Sequence, residues 1–211
     1  MGNPRNDYGL GFYCTHELEL AKEWGCTEGK SGFANQYVLE LSGLSLMQFT
    51  SEEYNIFNWL ALVLNNRQFR ISNDVAGIGK TYLLSKFLPD TDNVDVIIGY
   101  RADDSYFSFA NAFLNNVFSL EQFSIAMSLS KHEEQTMLKS QKAFEQIHFT
   151  RSESVNREIY YPMKSARDKG ARVAYEKEQR DQRTTDAVYI LDILRERWEN
   201  DDPRIPRNIS E

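Results

Sequence analysis

A chain of 211 residues, 41% hydrophobic and 13% aromatic, is long enough for one domain with an appendage and too apolar to be disordered. Its formal net charge of −7 argues against broad nucleic-acid binding, which depends on neutralising phosphates with basic side chains. No run approaches the roughly 18 apolar residues of a membrane span, so no membrane contact is expected.

In chain order, "GFYCT" (Gly11–Thr15) reads as a short strand, and "HELELAKEW" as a helix with Thr15 at cap position. "NQYVLELSGLSLMQF" alternates through Tyr37, Leu39 and Leu41, the period of a half-buried strand. "SEEYNIFNWLALVLNNRQF" is the clearest helix: Thr50 and Glu53 have capping-box spacing, and Tyr54, Phe57, Trp59, Leu60, Val63 and Leu64 form a broad apolar face. "TYLLSKFL" reads as a further helix, opened by a loop with two glycines. "VDVIIGYR" is a buried strand leading through "ADD" into the Phe-rich helix "SYFSFANAFLNNVF". "LEQFSIAMSLSK" is a helix capped by Ser119, with Gln122 at the matching position. "EQTMLKS", "QKAFEQI" and "HFT" follow as strand, short helix and strand.

From Ser154 to Arg183 the chain reads as a charged helix, followed by "TDAVYILDILRERW" with Val188, Leu191, Leu194 and Trp198 on one side. Residues 1–150 carry 11 basic and 18 acidic side chains, whereas 151–211 carry 13 of each. An acidic main domain therefore precedes a helical extension with interleaved charges. Strands and helices mix without regular alternation, which predicts an α+β domain. The start "MGNPRNDYG" lacks the basic and apolar parts of a signal peptide, and Cys14 and Cys26 lack metal spacing. A cytoplasmic protein with ordinary thiols is expected.

"AGIGKT" within Ser72–Phe87 looks like a phosphate-cradling loop, in which backbone N–H groups wrap phosphates and a Lys reaches them. Gly79, Lys80 and Thr81 fit that pattern. Asp74 stands where the first Gly belongs, and the preceding "NNRQFRISND" holds no buried strand. A nucleotide triphosphatase is not expected. His16, His132 and His148 share no spacing for a metal or a catalytic pair, and no metal is expected.

The informative stretch is "DYGLGFYCTHELELAKEW", Asp7 to Trp24. Two glycines permit close backbone approach just before a Tyr at a strand edge. This resembles the second motif of the ADP-ribosyltransferase superfamily, seen also in the poly(ADP-ribose) polymerase catalytic domain. It is more similar still to a bacterial ADP-ribosyltransferase-like family of undefined activity, often encoded in toxin–antitoxin-like pairs. The likeness extends to "VDVIIGYRADDSYFSFANAFL", "SLEQFSIAMSL", "EEQTMLKSQKAFEQIHF" and "YILDILRERW".

The resemblance implies a split β-sheet with flanking helices, parted around a cleft for NAD. Residues 1–150 would form this domain and 151–211 the helical C-terminal extension. Tyr13 would stack on the nicotinamide, Gly11 would hydrogen-bond its carboxamide through the backbone, and Thr15 would lie beside the cofactor. A third motif supplies a carboxylate or amide against the ribose; Gln135 fits its spacing best, with Glu134 the runner-up. Asp103 and Asp104 would either reach the cofactor or begin a helix. Tyr13 could instead be plain core. The superfamily's first motif, a His-Gly strand, has no counterpart in the six residues before Asp7, so the sheet is expected to lack an inner strand. The implied function is ADP-ribosyl transfer from NAD to an unknown acceptor macromolecule, with a cognate antitoxin as partner. The alternative is a catalytically inactive nucleotide- or protein-binding module of the same fold.

Overall fold

The computed structural model describes residues 3–102, 104–128, 134–181 and 187–207. Its strands divide between two sheets. Strand β1 (Phe12–Cys14) is followed by helix α1 (Leu18–Trp24), then by β2 (Gly32–Leu39) and β3 (Leu46–Gln48). The single strand expected over "NQYVLELSGLSLMQF" is thus two, because Gly43 takes φ +76° and turns the chain between them. Helices α2 (Ile56–Asn66) and α3 (Asp74–Phe87) come next, then β4 (Val96–Tyr100), α4 (Asp104–Leu114) and α5 (Leu120–Ser128). Strand β5 (Glu134–Leu138), helix α6 (Gln141–Glu145), strand β6 (Ile147–Val155), and helices α7 (Arg157–Asp181) and α8 (Ile190–Glu196) complete the order.

The larger sheet runs β1-β5-β4-β3. Its β1/β5 and β4/β5 pairs are antiparallel and β3/β4 is parallel. The smaller sheet pairs β2 with β6 antiparallel, with an irregularity at Gln36/Tyr37. The architecture is α+β, as the mixed pattern predicts. β6 runs through position 150, so the expected domain boundary falls inside a strand.

Most of the core lies between the larger sheet and the helices. In α2 every residue from Ile56 to Leu64 is buried, so its apolar face extends all the way round. Its cap is not Thr50 with Glu53. Asn55 accepts from Phe57 N and Asn58 N, while Asn58 Oδ1 accepts from Asn55 N at 2.9 Å. A polar residue next to the first buried turn outcompetes a similar pair five residues upstream. For α5 the expected box is present: Ser119 N donates to Gln122 Oε1 at 3.0 Å and Gln122 N to Ser119 Oγ at 3.2 Å.

The "AGIGKT" segment is helix, not a loop before one. Asn73 caps α3 by accepting from Ala76 N at 2.8 Å, and Gly77 N already donates to Asn73 O at 3.2 Å. Amides committed to helical bonds cannot wrap phosphates. Gly79 serves packing instead, since a Cβ there would stand 3.0 Å from Ile190 Cγ1 of α8. Lys80→Ala is therefore expected to shift stability by no more than about 0.5 kcal/mol and to leave ATP affinity unchanged in calorimetry.

The C-terminal helices pack on the main body. Ile190, Ile193, Trp198 and Ile205 join the principal core, with Val188 and Leu194 half-buried beside them. The apolar side of α8 is thus centred on Ile190 and Ile193, one step from the expected stripe, and Leu191 N donates to Asn116 Oδ1 at 3.1 Å. Helix α7 is tied down by Arg167, whose guanidinium meets the buried Glu23 carboxylate of α1 at 2.5 Å. Among the described residues, no helix is long and apolar enough to cross a membrane. No group of three or more His, Cys, Asp or Glu among them could hold a metal ion.

Candidate functional site

Side chains alternate across a strand, and β1 and β5 use this to open two cavities on opposite faces. Tyr13 stands opposite Met137, and Cys14 opposite Thr136. Tyr13, Gln135 and Met137 therefore look toward the helices, while Cys14, Thr136 and Leu138 look toward the smaller sheet.

On the helical face lies a polar cavity of about 480 Å³, walled by Asp7, Tyr13, Arg67, Arg101, Gln135 and Lys164. At its base is Asp7, a carboxylate only 7% exposed. Its Oδ1 accepts from Arg67 Nη1 at 2.9 Å, and its Oδ2 from Ala102 N and Gln135 Nε2, each at 2.9 Å. Arg67, which follows the last turn of α2, also donates to the Ala102 carbonyl and covers the Phe107 ring at 4.3 Å. Arg101 lies over the Trp24 ring at 5.3 Å. Three chain segments distant in sequence thus converge on one buried acid.

Tyr13 is half-buried and stacks on Tyr8, with ring centroids 6.5 Å apart. Its hydroxyl donates to Gly9 O at 2.8 Å and accepts from Tyr8 N at 3.0 Å. Burial pushes its phenol well above the usual value, so the ring stays neutral across the physiological range. Tyr8 is itself buried, donating to Tyr100 O at 2.5 Å and accepting from Trp59 Nε1 at 3.2 Å. Gly11 is required by close approach, since a Cβ there would meet Met137 Sδ at 2.2 Å and Leu138 O at 2.7 Å.

On the other face, an apolar groove of about 500 Å³ separates the two sheets, lined by Cys14, Ala34, Tyr37, Leu39, Ile98 and Ile147 among others. Burial pushes the Cys14 thiol up to about 11. Thiolate being the reactive form, Cys14 is expected to react with iodoacetamide at pH 8 about a hundredfold more slowly than an ordinary thiol near 8.5. Mass spectrometry of the timed reaction checks this, and the rate should climb with pH to about 11.

The residues singled out in the sequence are divided by this geometry. Tyr13 and Gln135 share the polar cavity, with Gly11 just before the strand that carries Tyr13. Thr15 does not join them: it lines the apolar groove, and its hydroxyl donates to Glu134 O at 3.0 Å. Nor does it cap α1, whose cap position is Glu17 without a side-chain bond; Thr15 Oγ1 accepts from Glu17 N at 3.2 Å. Glu134 turns to Thr50, whose hydroxyl donates to Oε2 at 3.3 Å. Asp104 is the first residue of α4, and Asp103 lies outside the described residues, as does His132.

Asp7 and Arg67 were missed by sequence reasoning. A polar "NDYG" turn and an Arg just past a helix end look like solvated surface, and their pairing across 60 residues leaves no local trace. The one hint is that Asp7 immediately precedes the Tyr-Gly run.

The family described as "Protein of unknown function (DUF3990)" matches residues 1–149. No curated protein and no solved structure matches the chain.

Proposed function

We propose that this chain, which belongs to the DUF3990 family of proteins of unknown function, is an ADP-ribosyltransferase-like protein that takes NAD into the polar cavity between Tyr13 and Gln135. The observation that carries this reading is that Tyr13 and Gln135, from opposite ends of the main domain, open into one cavity with Arg67, Arg101 and Lys164 in its wall. A flat neutral phenol suits a cationic nicotinamide ring. Guanidinium and ammonium groups suit a diphosphate. A volume of about 480 Å³ lies in the range of small-molecule sites.

The chemistry asks for little acid–base help. The bond from the ribose anomeric carbon to the nicotinamide nitrogen breaks, and its electron pair leaves with a neutral nicotinamide. Positive charge develops on the ribose, as in glycoside cleavage, until an acceptor nucleophile bonds that carbon and releases its proton. Gln135 supplies a carbonyl dipole against that charge, weaker than a full carboxylate. Residues that meet only the charged state alter turnover more than affinity.

One observation favours a second reading, a binding module without turnover: Gln135 is only 4% exposed, and its carboxamide is already bonded to Asp7. Calorimetric titration with NAD, alongside chromatography for free nicotinamide, separates the two. Binding with release supports transfer. Binding without release supports the silent module; the absence of NAD binding removes the transferase and leaves a module that binds another nucleotide or a protein.

A further inference from the structure

We propose that Asp7 is a positioning residue: it fixes the orientation of the Gln135 carboxamide so that the carbonyl oxygen, not the NH2 group, is offered to the cavity. This rests on the reading of Gln135 as the group facing the substrate.

The two ends of a carboxamide have almost the same shape, so packing alone does not choose between them. Hydrogen-bond partners do. Around one end of Gln135 stand Asp7 Oδ2 at 2.9 Å and Tyr100 O at 3.4 Å, with the Tyr8 hydroxyl beside them. Both oxygens are acceptors: Asp7 already receives Arg67 and the Ala102 N–H, and the Tyr100 carbonyl receives Tyr8 and Trp59. The Tyr8 hydroxyl has spent its proton on Tyr100 O and keeps only lone pairs to offer. An environment of acceptors holds the NH2 end. Turning the amide over would press its oxygen against a carboxylate oxygen and leave two donors without partners.

The consequence is chemical. The outward carbonyl presents partial negative charge where positive charge develops on the ribose, with Asp7 polarising it from behind. Arg67 anchors Asp7 and so acts at one further remove. A Gln is thereby given a carboxylate's polarity without a carboxylate's charge.

The test exchanges charge between the two positions in the full chain, using Asp7→Asn, Gln135→Glu and the double variant. In Gln135→Glu two carboxylates face each other across a hydrogen-bond distance. They cannot both ionise easily, so the pair titrates upward. Arg5 near the chain start, Arg67 of the α2 end, Arg101 after β4, Lys164 of α7 and the phenols of Tyr8 and Tyr13 face the site in both backgrounds. In the double variant the introduced amide at position 7 donates to the introduced carboxylate at 135, and Arg67 loses its competing acid. Together these offset burial and bring the titration back toward the ordinary value of about 4.3.

Carbon-13 NMR of the position-135 carboxyl reads this without NAD, and nicotinamide release from pH 5 to 8 reads its effect. Expected are a raised titration and turnover climbing with pH in Gln135→Glu. The double variant should show a flat profile, with about tenfold faster release at low pH. Asp7→Asn alone should lower kcat about tenfold with KM little changed, since it loosens a group that acts in the transition state. Should both variants at position 7 fail to fold, an ordinary titration in Gln135→Glu alone overturns the proposal. Identical titrations in the single and double variants overturn it as well. Different titrations with no nicotinamide released by any form, wild type included, uphold the Asp7 orientation and remove the transferase reading instead.

Discussion

Trp59→Ala is expected to lower the unfolding free energy by about 3–5 kcal/mol, a large part of the roughly 5–15 kcal/mol that holds a domain together. Trp59 is completely buried in α2, and its indole meets the Tyr100 ring edge-on with centroids 6.4 Å apart. Its Nε1 donates to both the Tyr8 hydroxyl at 3.2 Å and Tyr100 O at 3.1 Å. Removal opens a cavity under the floor of the polar site and deprives two buried acceptors of a donor. Trp59→Phe separates these effects. It keeps most of the ring volume and loses only the N–H, for an expected cost of about 1–3 kcal/mol. Urea unfolding of both variants measures the difference. A Trp59→Ala protein within about 1 kcal/mol of wild type would show that the helix repacks and that the Tyr8–Tyr100 floor stands without it.

Tyr13→Ala is expected to weaken NAD binding at least thirtyfold, equivalent to the roughly 2 kcal/mol of a desolvated cation–aromatic contact, and to abolish nicotinamide release at ordinary NAD concentrations. Its stability cost should fall below that of Trp59→Ala because the ring is only half-buried. Tyr13→Phe should do the reverse. It keeps the platform but removes the hydroxyl that joins Tyr8 N and Gly9 O, so it should lose about 1–2 kcal/mol of stability while binding NAD within a fewfold of wild type. Calorimetry with NAD and urea unfolding on the same preparations check both halves. Wild-type NAD affinity in Tyr13→Ala would leave Tyr13 as core alone and would sink the proposed site.

Much of the fold was legible because it is local. The β-branched run "VDVIIGY" specifies a buried strand, Ser119 with Gln122 specifies a helix start, and the apolar density of "IFNWLALVL" specifies a buried helix, whatever lies around them. Errors came where two local solutions compete. Thr50 with Glu53 and Asn55 with Asn58 are both capping pairs, and only the second adjoins the turn that burial pulls into the core. The glycines of "AGIGKT" favour a loop by propensity, yet α3 runs through them because α8 presses against Gly79. Tyr13 and Gln135 were expected at one cleft only through the family resemblance; nothing in their spacing specifies the face they share. Thr15, two places along from Tyr13, ends in the other cavity.

By itself, the sequence determined most of the segments that form strands and helices and where the apolar ones lie, since spacing and composition act over a few residues. Only the tertiary structure decided that two sheets part, that β1 and β5 back onto separate cavities, and that Asp7 gathers Arg67, Ala102 and Gln135. Asp7 and Gln135 stand 128 positions apart. A carboxylate chooses partners by who shares its low-dielectric surroundings after folding, and sequence distance carries no record of that choice.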